Sequence, residues 1–210
     1  GEVMGKTGKT KQRIFTVFFM FLVSAFFIGI LSFVYLFTKS TVVRNESLFL
    51  KRSVLYTAQI KVSDSPVEIE RIYKEKVKEI KDSDGNIQYY SVVADSGETV
   101  AVFQSSGQGL WGVIKGHVGL KNDLETIAGI DFTVQTETPG LGARITEQWF
   151  KEQFRGKKGE LKRVPEGTKS GKADEFDAIT GATVTSKAVE SMINGTVKNA
   201  PAVAGKGVER

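Results

Sequence analysis

The chain has no cysteine and a single histidine, His117. Without cysteine there is no disulfide scaffold, no thiolate zinc site and no cysteine-held iron–sulfur cluster. One imidazole is too few for a multi-histidine metal or haem site, so no metal is expected. No internal repeat or sustained heptad runs along the sequence. With 40% hydrophobic and 25% charged residues the chain is not the apolar-poor kind that stays disordered. A length of 210 residues suits one modest domain with appendages.

The apolar and charged residues are unevenly spread. Eight of the fourteen phenylalanines (Phe15, Phe18, Phe19, Phe21, Phe26, Phe27, Phe33 and Phe37) fall near the N-terminus. Residues 1–39 hold Lys6, Lys9, Lys11, Arg13 and Lys39 against Glu2, and so carry +4 of the formal +5. A pI near 9.3 would suit nucleic acid if that charge lined a folded face. Here it flanks an apolar run, and no nucleic-acid partner is expected.

Residues 14–38 contain no charge, and only Thr16, Ser24, Gly29, Ser32 and Thr38 interrupt the apolar side chains. At about 1.5 Å per residue such a helix exceeds the roughly 30 Å of bilayer hydrocarbon. A cleaved secretory signal has an apolar region of only about 7 to 15 residues, followed by small residues. This run is longer and leads into Thr38-Lys39-Ser40-Thr41. It reads as a single-pass anchor in the bilayer. Lys9, Lys11 and Arg13 crowd one end more densely than Lys39 and Arg44 crowd the other, which favours a cytoplasmic N-terminus (1–13) and an extracytoplasmic C-terminal domain.

Residues 39–65 read as a connecting segment, helical over 44–58. Pro66 opens a second helix with Ile69, Ile72 and Tyr73 on one face. Asp84-Gly85-Asn86 and Asp95-Ser96-Gly97 are turn signals between short strands at 77–81, 87–94 and 99–105. Alternation over 110–120 predicts a further strand, with His117 on its half-exposed face. Another strand is expected over 127–135. Thr146 would cap a helix ending before Gly156, 156–175 would be a polar surface excursion, and 200–210 a flexible tail.

The stretch with most chemistry in it is Asp177-Ala178-Ile179-Thr180-Gly181-Ala182-Thr183-Val184-Thr185-Ser186. Ala188, Val189, Met192, Ile193 and Val197 follow at helical spacing, so the hydroxyls stand at a helix N-terminus, where free N–H groups and the macrodipole favour an anion. Gly181 and Ala182 keep the approach to Thr183 open. The same residues also suit an ordinary Ser/Thr helix cap.

Asp177-x-x-Thr180-Gly181-Ala182-Thr183 resembles the D-x-x-[S/T]-G-A-T signature of FMN-binding domain proteins. In that family a flavin transferase links FMN through its phosphate to the last threonine, here Thr183, with Thr185 and Ser186 the next hydroxyls in line. Glu137-Thr138-Pro139-Gly140-Leu141-Gly142-Ala143-Arg144 resembles the E-T-P-G-L-G loop of the same family. Gly107-Gln108-Gly109-Leu110-Trp111-Gly112 resembles the G-x-G-L-W stretch of its Na+-translocating quinone reductase members. The short reach between anchor and domain is closer to the Rnf-type members.

The resemblance implies an α+β fold over 66–199, an antiparallel sheet with packed helices behind one transmembrane helix. It further implies an electron-transfer subunit of an Rnf-type ion-translocating complex in the inner membrane, with the other membrane subunits as partners and covalent FMN as cofactor. Cofactor contacts would come from Trp111, Glu137, Thr138, Leu141, Asp177, Thr180, Gly181, Ala182 and Thr185. Each has an ordinary alternative: Trp111 stacks on flavin or belongs to the core, Glu137 accepts a ligand hydrogen bond or caps its turn, and Asp177 assists the transferase or is a surface aspartate. Gly140 and Gly142 either admit the flavin ring or serve a Pro–Gly turn. A stand-alone anchored flavoprotein and an anchored binding module without flavin are the competing functions.

Overall fold

The computed structural model describes the backbone of residues 3–206 and the side chains of residues 11–205. Two compact units divide after Ser47. The first is formed by helix α1, Val3–Thr57, up to that point. Its apolar side chains have no protein to pack on: Phe15, Phe33 and Phe37 are 69%, 70% and 79% exposed. The helix is long and apolar enough to cross a membrane. Within the run, the Thr16 and Thr38 hydroxyls donate to the backbone carbonyls of Gln12 (2.9 Å) and Val34 (2.8 Å), which hides their polarity.

The helix expected over 44–58 is the last part of α1 and stops at Thr57, so the remainder of the connecting segment 39–65, residues 58–65, is not helical. Gln59 takes φ +65°, and the Ile60 N–H reaches back to Leu55 O, the Schellman closure that is usually signalled by glycine. A glutamine fills the left-handed position here.

The second unit begins at Leu48, so the last turns of α1 belong to it. Helix α2, Pro66–Lys76, starts on its proline, carries Glu68 in the first turn and Lys74 and Lys76 in the last, and buries Ile69 and Ile72. Strands β1 (Val77–Lys81), β2 (Ile87–Val93), β3 (Thr99–Gln108), β4 (Val113–Leu120) and β5 (Ile127–Val134) form an antiparallel meander in sequence order. One face carries Val54, Leu55, Ile69, Ile72, Val92, Val100 and Val102 under the end of α1 and α2. The other carries Phe103, Ile114, Val118, Ile130 and Phe132 under α3 (Gln148–Glu152) and α4 (Thr183–Lys206).

Because β4 is covered on both faces, His117 is buried (1% exposed). It is not the half-exposed residue that alternation suggested. Its Nδ1 lies 2.8 Å from Ser53 Oγ on α1. The same helix end presses on glycines: a Cβ on Gly119 would meet Thr57 Cγ2 at 2.9 Å, and one on Gly129 would meet Thr57 O at 2.7 Å. Burial pushes the His117 imidazole down to about 4, with Asp131 acting in the opposite direction. An unfolded histidine takes its proton near 6.5, so the unfolded chain holds more protons between about pH 6.5 and 4. Stability is therefore full above pH 6.5 and falls by roughly 3 kcal/mol through that window. Thermal melts from pH 7 to 4 should show a clearly shallower decline for His117→Gln than for the wild type.

Gly116 is tighter still, since a Cβ there would lie 2.1 Å from the Asp131 backbone oxygen. Gly116→Ala should cost about 3 kcal/mol in a denaturant melt, because the strand cannot yield.

Three further expectations are corrected. The helix expected from a Thr146 cap is α3, shorter than read and preceded by Glu147; Thr146 instead ends a 3₁₀ turn, Gly142–Thr146, and its hydroxyl donates to Ala143 O. The supposed surface excursion contains β6 (Lys162–Val164), paired in parallel with β7 (Glu175–Asp177), and Leu161 there is fully buried. Residues 200–206 continue α4 instead of forming a flexible tail, with Pro201 inside the helix, because Ala200 and Val203 pack on the core. Residues 207–210 lie outside the described residues.

Candidate functional site

The three sequence motifs meet at the N-terminal end of α4. The loop 109–112 joins β3 to β4 in a tight turn, Gly109 N–H to Gly112 O at 2.9 Å, and holds Trp111 out at 70% exposure. Trp111 is therefore no part of the core. The loop after β5 turns at Thr138-Pro139-Gly140-Leu141: Leu141 N–H reaches Thr138 O at 3.1 Å and Gly140 has φ +74°, the type II geometry that Pro–Gly order predicts. Trp111 Nε1 donates to Thr138 Oγ1 at 3.0 Å, bridging the two loops.

Glu137 is the centre of this arrangement. Its carboxylate is buried, accepting the Trp111 N–H on one oxygen at 3.0 Å and the Thr185 hydroxyl on the other. Burial alone would raise its pKa. The bonds from Thr185, Trp111, Leu110 and Gly112 more than offset that and hold it below the usual carboxylate range. Both oxygens are bonded within the protein, and Glu137 ties three segments together.

The neighbouring glycines are explained by the same packing. A Cβ on Gly109 would sit 2.6 Å from Glu137 Oε1, and one on Gly142 would sit 2.6 Å from Thr185 Oγ1. A Cβ on Gly112 would come within 2.5 Å of Thr136 Oγ1. The space at Gly142 is thus filled by protein side chains, not kept for a flavin ring.

The D-x-x-T-G-A-T segment is braced from several sides. Asp177 is buried and accepts the N–H groups of Gly167 (2.8 Å) and Lys169 (3.0 Å), so it is neither a surface residue nor free to meet a ligand. Thr180 donates its backbone N–H to Glu166 at 2.7 Å. Arg144 grips Glu166 with two bonds, 2.8 and 3.2 Å, and also lies over the Trp149 ring. That pairing, first with Arg144 and then with the Thr180 N–H, holds the Glu166 carboxyl down at about 2. Gly181 has φ +78°, and a Cβ there would meet only Leu141, at 3.1 Å.

Among the hydroxyls the structure discriminates sharply. Ser186 is fully buried and its Oγ accepts the Ile179 N–H at 3.0 Å. Thr185 is buried on Glu137, and Ala182 is buried too, whereas Thr180, Gly181 and Thr183 are exposed. Thr183 is the first residue of α4, so its hydroxyl stands beside N–H groups that have no helical partner. The loops tied to this turn through Glu137 and Gly181 leave apolar side chains exposed, Leu110 (58%), Trp111 and Leu141 (43%), and Val184 (48%) follows Thr183 in the chain. An anionic group with a flat apolar ring fits such surroundings: hydroxyl and amide donors at one point, apolar surface beside it. Arg163 also contributes, donating to the Thr183 carbonyl at 3.4 Å. Glu166 and Arg163 lie outside all three motifs, and Arg144, which closes the second, pairs with a residue outside it, so periodicity had no signal for these roles.

Residues 109–198 match the family described as FMN-binding domain. The chain is 33% identical over 142 residues to the C component of the Na(+)-translocating NADH-quinone reductase of Neisseria meningitidis serogroup B, covering 64% of this chain and 55% of that protein. It is 36% identical over 119 residues to the G component of the ion-translocating oxidoreductase complex of Methanosarcina acetivorans, covering 55% and 61%. The chain thus spans less than two thirds of the length of either relative. The crystal structure of the C component of the Na(+)-translocating NADH-quinone reductase from Parabacteroides distasonis superposes with a TM-score of 0.64 at 28% identity, covering 82% of this chain and 97% of that one. That of NqrC from Shewanella oneidensis gives 0.66 at 24% identity, covering 78% and 97%, a likeness of fold.

Proposed function

We propose, on the premise that residues 109–198 belong to the FMN-binding domain family, that this chain carries FMN covalently on Thr183 as the electron-transfer subunit of an ion-translocating membrane oxidoreductase, of the Rnf type. The observation that carries the reading is the exposed Thr183 at the start of α4, in a turn that Glu137 ties to the other two motifs, while Thr185 and Ser186 are bonded and buried. When bound, FMN supplies one-electron acceptance and release.

The chain's own part is to hold and shield. Thr183 is a tether: its Oγ forms a bond to the flavin phosphorus as the phosphoanhydride bond of a flavin dinucleotide donor breaks, and the hydroxyl proton leaves with the displaced mononucleotide. A flavin transferase would carry out that step. The N–H groups of the first turn of α4 that lack a helical partner would hold the phosphate. Trp111, Leu110 and Leu141 offer apolar surface to the ring, and the Thr138 hydroxyl fixes the Trp111 indole. Glu137, Asp177, Thr180 and Thr185 brace the frame, and Gly181 and Ala182 keep bulk away from Thr183.

Relatives of both the Rnf and the NADH-quinone reductase kinds support a place among other membrane subunits. The apolar stretch of α1 would anchor the chain with its domain outside the cytoplasm. Purification from native membranes through a tag on this chain tests the assignment. Co-purification of flavin-bearing chain with ferredoxin- and NAD+-reacting subunits is the expected result. Partners that reduce quinone instead would make it the NADH-quinone reductase subunit, and a flavin-bearing chain with no partners would make it a stand-alone shuttle. Protease treatment of intact cells should remove the domain, and its protection would reverse the orientation.

A further inference from the structure

We propose that Arg163 is the cation that receives the phosphodiester anion formed at Thr183, and that Glu190 holds it ready beforehand. The inference rests on the attachment reading above and adds a residue that none of the three motifs contains.

The placement follows from the small parallel sheet. Strand β6 pairs with β7, Arg163 opposite Phe176, and β7 runs straight into the segment 177–183. Arg163 is thereby brought alongside the first turn of α4, although it lies twenty residues earlier in sequence. Its Nε donates to the Glu190 carboxylate, and its Nη1 donates to the Thr183 carbonyl at 3.4 Å. Thr183 and Glu190 are seven residues apart, two helical turns, and so share a face of α4. The guanidinium spans that face from the second turn back to the first residue.

Two of its five N–H groups are used in these contacts, which leaves donors in a rigid fork, the geometry suited to phosphate oxygens. The side chain is 27% exposed, so the charge is partly withdrawn from water yet open to an incoming group. The other arginine of the site, Arg144, is committed to Glu166 and stacked on Trp149. Esterification of the Thr183 hydroxyl converts a neutral group into one with a permanent negative charge. Without Arg163, that charge would face the Glu190 carboxylate across two turns of helix, with the helix terminus and the solvent-exposed Lys187 to balance it. Arg163 separates the two and can bind both.

The test uses the full chain produced with and without the flavin transferase, as wild type, Arg163→Gln, Arg163→Lys and Glu190→Gln. Intact mass gives the fraction bearing FMN, and thermal melts of loaded and unloaded forms in low and high salt give the change in midpoint on loading. For the wild type, loading should raise the midpoint, more in low salt than in high salt. In Arg163→Gln that increment should vanish and the loaded fraction should fall by about threefold or more. Arg163→Lys should recover part of both, because it restores charge without the fork. Glu190→Gln should keep the increment, since it frees the guanidinium for the phosphate. An Arg163→Gln protein that loads as fully and gains the same increment as the wild type overturns the proposal, as does an equal loss in Glu190→Gln, which would mark the pair as merely structural. A wild type that acquires no FMN at all would instead overturn the attachment reading.

Discussion

Thr183→Val should remove in-gel flavin fluorescence completely while leaving the domain folded. Valine has nearly the shape of threonine and no nucleophilic oxygen. The residue is exposed at the helix start, and none of the hydrogen bonds that brace the site uses its hydroxyl. A surface change of this kind alters stability by about 0.5 kcal/mol or less, so the melt should be unmoved. The structure also sharpens what persistence of the signal would mean. Thr185 and Ser186, the next hydroxyls by sequence, are buried and occupied by Glu137 and by the Ile179 N–H. Thr180 is the exposed alternative, and fluorescence remaining in Thr183→Val should be pursued there.

Glu137→Ala should be the most damaging change in the site outside Thr183. It deletes the acceptor for the Trp111 N–H and the Thr185 hydroxyl, both drawn into a space from which Gly109 and Gly142 have removed every competing side chain. Leaving two such donors unpaired, together with the void, should cost about 2 to 4 kcal/mol in a denaturant melt. Thr185 lies in the first turn of α4, and Trp111 sits at the tip of its loop. Losing their common partner loosens both the residue that carries the attachment point and the apolar wall beside it. Flavin incorporation should fall by about tenfold to a hundredfold even though Thr183 is untouched, since a displacement of about 1 Å suffices for such losses. Glu137→Gln keeps the shape but sets an amide N–H₂ against one of the two donors. It should land between alanine and wild type in both stability and incorporation. Incorporation at the wild-type level in Glu137→Ala would mean that the three loops hold their places without it.

How much of this was legible in the sequence depends on the range of the interaction. The strands at 77–81, 87–93, 99–108 and 127–134 follow local alternation and the Asp-Gly and Ser-Gly turns between them. The register of α4 follows from Ala188, Val189, Met192 and Ile193. The Pro139–Gly140 turn follows from the two residues themselves. In each case the determinant lies within a few positions of its effect.

The misreadings have the opposite cause. His117 stands on a strand whose second face is covered by α1, sixty-four positions away at Ser53, so alternation could not report its burial. The surface alternative weighed for Asp177 fails because Gly167 and Lys169 bond it, and they lie in a glycine- and lysine-rich stretch that looks like a solvated loop. The part Glu137 plays in tying the loops together was not among the alternatives read from the sequence, because both of its partners come from other motifs. The glycines of those motifs signal closeness of approach, and only the fold reveals that what approaches is Glu137, Thr136 or Thr185. Glu166 and Arg163 carried no local signal at all, and Arg144 stood in the second motif without any sign of its pairing with Glu166. The end of α4, read as part of a flexible tail, is helical because Ala200 and Val203 pack on the core on either side of Pro201.

Attachment of FMN at Thr183 is decided by peptide mapping with tandem mass spectrometry on the full chain, produced together with the flavin transferase. The peptide spanning residues 173–187 should carry one FMN less one water, with the fragment ions placing it on Thr183. An unmodified Thr183 in that preparation, or FMN on any other residue, would contradict the assignment.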